Sequence, residues 1–314
     1  MRVLITGTGG YLGGVIAKHL SEHGFHIGLV SRNHTLNSRF FPTADKYTVD
    51  WTCYESLLEA CTNYDCVIHC AGLNSFSCQN DPELAFRVNG LHTAKLVKAA
   101  ENARVKKFIY LSTAHVYESN LIGDVKVSDC PNNLHPYATS HLMGEKAVLY
   151  AANSQSRMDG IILRLSNAIG PPLHPEVECW SLVANNFCKQ LIGNRIIQIN
   201  SPINKQIDFV STGHICNVLK TLILSNSNSQ KVFNIGSGSS LSLYELARAV
   251  LDSYQSVFLS EGSIKINHPK SFDSSKSQRF NYHVSFRPKN NDLISNIEKT
   301  LLFCSTYFRQ ITQK

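Results

Sequence analysis

Tyr137 and His141 lie four residues apart in the segment 136–145, and together they could move a proton. Pro136 suits the first turn of a helix, and the residues after it continue a helical pattern to about Asn153. Residues i and i+4 share one helix face, so the two rings should be neighbours. A phenol beside such a partner can act as a general acid or base if its pKa falls below the usual value of about 10. A buried tyrosine beside a hydrogen-bonded surface histidine would give the same pattern.

The start of the chain predicts a cradle for phosphate groups. A short apolar strand over 2–6 is followed by glycines at positions 7, 10 and 13, and then by an amphipathic helix to about His23. Glycines let backbone amides approach a pyrophosphate, and the positive end of the helix dipole favours its charge. A glycine turn placed between a strand and a helix therefore predicts a dinucleotide-binding unit.

The end of the second predicted strand, 25–30, bears on the choice of dinucleotide. An acidic residue at this point would hold the ribose hydroxyls of NAD and repel a 2′-phosphate. This chain has Ser31 and Arg32 there instead. A hydroxyl and a guanidinium both suit a phosphate, which favours NADP over NAD.

The chain as far as residue 170 alternates between predicted strands and helices. Strands are predicted at 47–50, 66–70, 108–112 and 160–165, with a long helix from Asp81 to about Asn102 that contains Asn89. This alternation predicts an α/β fold, a Rossmann-type doubly wound parallel sheet with a smaller C-terminal substrate-binding lobe. We expect 1–170 to form the dinucleotide-binding domain, with 207–236 returning to it. Residues 171–206 and 237–314 should form the lobe, in which Ser242 and Glu245 are expected to form a capping box for a helix to about Asp252.

Composition narrows the class of protein. The chain has 314 residues, 43% of them hydrophobic and 17% charged, with a formal net charge of +7 that is scattered. We expect no nucleic-acid partner and no membrane span, because there is neither a basic stripe nor an apolar run of about 20 residues. Ten cysteines occur without CxxC spacing, which predicts reduced thiols in the cytoplasm and no metal site.

These landmarks together resemble the extended short-chain dehydrogenase/reductase family, in its NAD-dependent epimerase/dehydratase branch that acts on nucleotide sugars. The resemblance covers nearly the whole chain. It is carried by residues 6–13 (TGTGGYLG), Asp50, 69–72 (HCAG), Asn89, 112–117 (STAHVY), the Tyr137 helix with Glu145, 164–171 (RLSNAIGP), 208–210 (DFV) and 234–236 (NIG).

The resemblance implies a role for each matching residue. Thr113, Tyr137 and His141 stand at the catalytic positions, with Tyr137 as the acid/base and Thr113 bonded to the reacting oxygen. The substrate would meet Thr113, His115, Asn167 and Lys205. The family also suggests a homodimer through helices around 83–102 and 137–153. The cofactor-binding set would be Gly7, Gly10, Tyr11, Leu12, Gly13, Ser31, Arg32, Asp50, Trp51, Ala71, Gly72, Asn89, Tyr137 and His141.

The chain departs from the family pattern at two places. The family has YxxxK, whose lysine binds the nicotinamide ribose and lowers the pKa of the tyrosine, whereas this chain has His141. A neutral imidazole can bond a ribose hydroxyl but lacks the fixed charge, and His115 is then an alternative base. An arginine often precedes the DFV run and binds the substrate pyrophosphate. Here Gln206 and Ile207 take that place, with Lys205 nearby. Also on the substrate side, a second family arginine further downstream is replaced around Lys270, and Arg279 and Arg248 could compensate for it.

Three functional hypotheses follow. The first is an NAD(P)-dependent oxidoreductase, epimerase or dehydratase acting on a sugar or nucleotide sugar. The second is a non-catalytic or catalytically weakened NAD(P)-binding regulator, motivated by His141. The third is a dehydrogenase for a non-nucleotide alcohol such as a lactone or steroid.

Overall fold

The computed structural model describes residues 1–32, 35–118, 121–153, 158–226, 229–267 and 279–308. Contacts divide the chain into two units. The first unit comprises 1–120, 127–165 and 218–234, and the second comprises 121–126, 166–217 and 235–314.

The strands and helices alternate from the N-terminus. In chain order the strands are β1 Arg2–Thr6, β2 His26–Val30, β3 Asp45–Tyr47, β4 Cys66–His69, β5 Lys107–Thr113, β6 Gly123–Val125, β7 Asp159–Leu165, β8 Asn167–Ile169, β9 Ile196–Ile199, β10 Gln206–Ile207, β11 Phe209–Ser211, β12 Val232–Ile235, β13 Leu241–Ser242, β14 Ser263–Ile266 and β15 Phe280–Tyr282. The helices are α1 Tyr11–Glu22, α2 Thr35–Phe40, α3 Tyr54–Cys61, α4 Ser75–Asn80, α5 Pro82–Ala85, α6 Thr93–Asn102, α7 Pro136–Asn153, α8 Val183–Asn194, α9 Thr212–Leu224, α10 Leu243–Phe258 and α11 Asp292–Phe308.

The first unit is built on a seven-stranded sheet, counted over the described ranges, with the order β12-β7-β5-β4-β1-β2-β3. The pairs from β3 through β7 are parallel. The strand order reverses beside β1, whose neighbours are β2 and β4. Ligands of open α/β sheets bind at the carboxyl ends of the strands at such a switch point. The doubly wound fold expected from the sequence is confirmed.

Apolar side chains explain why this sheet is stable. Strands β4 and β5 are buried along their whole length, as in a sheet covered on both faces. One hydrophobic cluster packs Leu57, Leu96 and Val97 from α3 and α6 against Val67 and Phe108 of β4 and β5. Burial of a large aliphatic or aromatic side chain contributes about 1.5–3 kcal/mol.

Two sequence expectations about local structure were wrong in detail. The strand expected at 47–50 lies at Asp45–Tyr47, where the Asp45 carboxylate accepts hydrogen bonds at 3.0 Å from both Arg2 and Tyr64. The single long helix from residue 82 is interrupted by a π-helical segment, Phe86–His92, between α5 and α6. A π segment inserts an extra residue per turn and is frequent at functional sites.

The second unit has its own core. Buried apolar residues of α8, α10 and α11 form one cluster with Ile197 and Ile199 of β9, which pairs with β14. Short strand pairs β8–β11, β10–β13 and β6–β15 complete it. The capping box expected for α10 is confirmed, with Glu245 N donating to Ser242 Oγ at 3.1 Å and Ser242 N to the Glu245 carboxylate at 2.7 Å. Across the described ranges, no helix has the length and apolarity that crossing a bilayer requires.

Candidate active site

The glycine turn between β1 and α1 is as tight as the sequence predicts. Gly7 has φ +73°, and a Cβ on it would lie 2.8 Å from the backbone nitrogen of Ala71. A Cβ on Gly13 would lie 2.3 Å from the carbonyl oxygen of Gly7, so neither position accepts a side chain. Helix α1 begins after Gly10 with Tyr11 and Leu12 in its first turn, without an acidic residue there or a side-chain cap. Bare amides at a helix N-terminus fit an anionic diphosphate.

Ser31 and Arg32 follow β2, beside the glycine turn. The Ser31 hydroxyl would lie 2.9 Å from a Cβ on Gly9, so serine and turn are in close approach. Arg32 is exposed. An exposed guanidinium and a hydroxyl at this end of the sheet are groups that could bind a 2′-phosphate.

Asp50 and Trp51 follow β3 in the first unit. The Asp50 carboxylate accepts hydrogen bonds from the Thr52 amide at 2.8 Å and the Thr52 hydroxyl at 2.7 Å, which lower its pKa. Trp51 is half-buried and stacks on His92 of the π segment, with ring centroids 5.7 Å apart. Asp50 therefore stabilises the turn that carries Trp51 towards the π segment.

The end of β4 is held against β1 by Thr6. Its hydroxyl oxygen accepts hydrogen bonds from the amides of Cys70 and Ala71, both at 3.2 Å, and contacts Nδ1 of His69 at 2.7 Å. Burial lowers the pKa of His69 to about 3, so this ring is neutral. The Ala71–Gly72 backbone is thereby fixed opposite the glycine turn.

Asn89 is buried in the π segment and connects several elements. Its side-chain oxygen accepts from the Leu73 amide at 2.8 Å, and its nitrogen donates to Ser140 Oγ at 3.0 Å. A Cβ on Gly72 would lie 3.0 Å from the same oxygen. Asn89 thus ties the turn after β4 to helix α7, which carries Tyr137.

Tyr137 and Thr113 are brought together, as the family pattern implies. Thr113 ends β5 and is 5% exposed, and its hydroxyl lies near the half-buried phenol of Tyr137. Burial raises the pKa of Tyr137 above its ordinary value, and the neighbouring Thr113 hydroxyl opposes that rise. Tyr137 is therefore protonated at neutral pH.

His141 lies one turn after Tyr137, and the two rings meet edge to face with centroids 4.7 Å apart. The expectation that they are neighbours is confirmed. Burial, with a smaller contribution from the charge of His115, lowers the pKa of His141 to about 4. The imidazole is thus neutral where the family pattern has an ammonium.

His115 follows Thr113 in a 3-10 turn, Ala114–Val116. Its ring is exposed and lies 6.1 Å from the Tyr137 ring, centroid to centroid. Its backbone amide donates to Thr113 Oγ1 at 3.1 Å. His115 is thus placed beside Thr113 and Tyr137.

A buried polar network behind the site was not predicted as a unit. Arg164 binds the Glu145 carboxylate through Nε at 2.9 Å and Nη2 at 2.7 Å, and the Ser112 hydroxyl donates to the same carboxylate at 2.6 Å. Arg164 Nη1 donates to the Tyr117 hydroxyl at 2.8 Å, which donates to Asn234 at 2.7 Å. The motifs containing these residues were recognised, but their pairing was not. The network joins α7 to the ends of β5, β7 and β12.

Asn167 and Lys205, the remaining expected substrate contacts, belong to the second unit. The Asn167 side-chain nitrogen donates to the Asp208 carbonyl at 3.2 Å, and Lys205 is exposed. The Asp208 carboxylate is buried and binds the amides of Ser237 and Gly238, both at 2.9 Å. Asp208 is therefore structural.

The arginines expected to compensate for the missing phosphate ligand are both paired within the second unit. Arg279 contacts Glu245, and Arg248 lies 3.1 Å from the Asp252 carboxylate. Each is more than half exposed. Lys270 lies outside the described residues.

The parallel sheet, with its reversal of strand order beside β1, and the glycine turn that follows this strand define the class of Rossmann-type dinucleotide-binding α/β proteins. Within this class, the chain belongs to the NAD dependent epimerase/dehydratase family, whose family model matches residues 3–236.

Known proteins give more specific similarities. The chain is 31% identical over 173 residues to a probable low-salt glycan biosynthesis reductase of Haloferax volcanii, covering 54% of each chain. It is 23% identical over 271 residues to a dTDP-glucose 4,6-dehydratase of Streptomyces niveus, covering 81% of this chain and 77% of that one. The structure of UDP-glucose 4-epimerase from Thermotoga maritima with UDP-glucose matches at a TM-score of 0.81 and 19% identity, covering 99% of both chains. The chain spans about half the length of the Haloferax volcanii reductase.

Proposed function

We propose that this protein is an NAD(P)-dependent oxidoreductase, epimerase or dehydratase that acts on a sugar or nucleotide sugar. The observation that carries the proposal is the close approach of Thr113, at the carboxyl end of β5, to Tyr137 of α7, in the unit that holds the glycine cradle. Nucleotide sugars are favoured because two of the relatives are named for dTDP-glucose and ADP-heptose chemistry.

The residues fit a dinucleotide, since a tight glycine turn leads into a helix N-terminus that has neither a side-chain cap nor an acidic residue in its first turn. The bound cofactor supplies a hydride acceptor or donor. Thr113 orients the substrate oxygen, and Tyr137 gives its phenolic proton to that oxygen, or takes it back in the reverse direction. His141 would hold the nicotinamide ribose by a hydrogen bond. His115, Asn167 and Lys205 are proposed to bind the substrate.

A panel of nucleotide sugars with NAD and NADP tests this function. One of them should be converted, and Tyr137→Phe should lower the rate by about 10²–10⁴-fold because the proton donor is lost. Tyr244→Phe, at an exposed tyrosine of the second unit, is the matched control and should leave the rate unchanged. Undiminished activity of the Tyr137 variant would contradict its assigned role.

The cofactor is proposed to be NADP, because Ser31 and Arg32 stand where an acidic residue would select NAD. Ser31→Asp combined with Arg32→Ala should weaken NADP binding and strengthen NAD binding, measured by calorimetry. Arg39→Ala is the control, since Arg39 is also exposed but contacts Phe40. Tighter binding of NAD than of NADP by the unmodified protein would refute the preference.

A weakened NAD(P)-binding regulator is the alternative, and the neutral imidazole at 141 favours it. Cofactor binding without any turnover, unrestored by His141→Lys, would support it. A lactone or steroid alcohol would instead be favoured if no nucleoside diphosphate raised the melting temperature.

A homodimer is proposed from exposed apolar side chains on the π segment and its flanking helices, with α7. The most exposed of these are Phe86 at 38%, Leu91 at 49%, Met143 at 47% and Tyr150 at 80%. Apolar patches of this kind mark interfaces. Sedimentation should show a dimer that Leu91→Glu dissociates. Leu259→Glu, at an exposed leucine of the second unit, should leave the dimer intact.

A cytoplasmic location is also proposed, because all ten cysteines are free thiols.

A further inference from the structure

Tyr110 and His141 are in direct contact beneath the catalytic helix. The Tyr110 hydroxyl oxygen lies 2.9 Å from Nδ1 of His141, and the two residues are 1% and 8% exposed. The contact depends on a glycine, because a Cβ on Gly144 would lie 2.7 Å from the Tyr110 hydroxyl. Strand β5 and helix α7 therefore approach closely at this point.

The direction of this hydrogen bond follows from the donors and acceptors around it. Tyr110 has one hydroxyl hydrogen and two acceptors, His141 Nδ1 at 2.9 Å and the Asn89 carbonyl at 3.5 Å. The Asn89 carbonyl already accepts a hydrogen bond from Thr93 Oγ1 at 2.7 Å. The Tyr110 hydroxyl therefore donates its hydrogen to Nδ1 of His141, because a contact of 3.5 Å is at the limit of a hydrogen bond.

We propose that Tyr110 is a positioning residue that fixes the tautomer of His141, so that Nδ1 accepts and Nε2 carries the ring proton. Within the described part of the chain, Nε2 has no hydrogen-bond partner, while Cε1 beside it lies 4.0 Å from a Cβ on Gly72. Nε2–H is thus offered as a donor at the turn where the cofactor ribose is expected. In the family pattern, a lysine ammonium donates a hydrogen bond to the ribose. Here Tyr110 fixes the imidazole so that Nε2–H of His141 donates in its place, without the charge.

The surroundings of His141 agree with a neutral ring. Facing it are Tyr110 of β5, His69 at the end of β4, His115 of the 3-10 turn and Tyr137 of its own helix. None of these is an acid. The nearest buried carboxylate, Glu145 one turn further on, is bound by Arg164 and Ser112.

Nitrogen-15 NMR of histidine-labelled, cofactor-free protein tests the proposal directly. At pH 7.5, His141 should show a protonated Nε2 and an unprotonated, hydrogen-bonded Nδ1. In Tyr110→Phe, the Nδ1–H tautomer should become populated. The pKa of His141 should also rise by about half a unit to one unit, because a hydrogen bond to the neutral form has been removed.

Tyr64→Phe is the matched control, since it removes another buried tyrosine hydroxyl, which donates to Asp45 rather than to a histidine. It should leave the His141 signals unchanged. A protonated Nδ1 in the unmodified protein, or an unchanged tautomer and pKa in Tyr110→Phe, would overturn the proposal. The proposal depends on the proposed function in one respect only, namely that the group meeting Nε2 is the cofactor ribose. The tautomer is read without cofactor or substrate, so a failure here is distinct from the absence of turnover.

Discussion

The Glu145 carboxylate and the Arg164 guanidinium are joined by two parallel hydrogen bonds in the interior of the first unit. Nε meets one oxygen at 2.9 Å and Nη2 the other at 2.7 Å, and the two side chains are 1% and 6% exposed. Such a pair fixes geometry, because an arginine fork matches a carboxylate in one orientation. It therefore sets the position of helix α7 against β7.

Removing one partner should destabilise the protein strongly. Glu145→Gln leaves a buried guanidinium without its counter-charge, which we expect to cost about 3–5 kcal/mol of unfolding free energy. Urea denaturation measures this. Glu83→Gln breaks an exposed ion pair with Arg87 and should have little effect. The double variant Glu145→Leu with Arg164→Met should be more stable than the protein that carries either of these two changes alone. Equal losses of unfolding free energy in Glu145→Gln and Glu83→Gln would contradict this account.

Cofactor binding should be lost when the glycine turn is filled. Gly13→Ala would place a Cβ 2.3 Å from the Gly7 carbonyl, so the turn must open and its amides move away from the pyrophosphate. We expect the dissociation constant for NADP to rise at least about 100-fold, the equivalent of about 3 kcal/mol. Gly193→Ala has no heavy atom within 4 Å of its Cβ and should bind normally. Calorimetry distinguishes the two, and normal binding by the Gly13 variant would exclude the turn as the site.

Stability should fall in mild acid because of His141. Its pKa is lowered from 6.5 to about 4 in the folded protein, so the unfolded chain binds more protons between these values. The contribution of the neutral ring to the free energy of unfolding is fully present above pH 6.5. It is lost as pH falls towards 4, and the loss amounts to about 3 kcal/mol in all. Melting temperatures from pH 8 to pH 4 should therefore fall less for His141→Gln, while His23→Gln, an exposed site, should follow the unmodified protein.

A charge at position 141 should move the pH dependence of catalysis. Oxidation of an alcohol needs deprotonated Tyr137, whose pKa is raised by burial, so the rate should increase with pH up to strongly alkaline values. His141→Lys places an ammonium beside the phenol and should shift this rise down by about 1–3 pH units. His141→Gln is neutral and should not shift it. An unchanged profile in a lysine variant that still binds cofactor would show that Tyr137 is not the base.

Much of the site was predictable because its signals are local. The glycine turn, the Ser242–Glu245 capping box and the one-turn spacing of Tyr137 and His141 each depend on residues within about seven positions of one another. Local backbone geometry converts such spacing directly into position. The strand at Asp45–Tyr47 was misplaced by two residues because its register depends on Gly28 and Leu29 of β2.

The amino-acid sequence by itself determined the doubly wound fold, the glycine turn after β1 and the placing of Tyr137 and His141 on one face of a helix. Only the tertiary structure decided what surrounds them. Tyr110 meets His141 across 31 positions, Glu145 meets Arg164 across 19, and Tyr117 meets Asn234 across 117. No periodicity encodes such contacts, because they arise where separate strands end at one edge of a sheet. Those contacts make His141 a neutral, directed donor rather than a surface side chain.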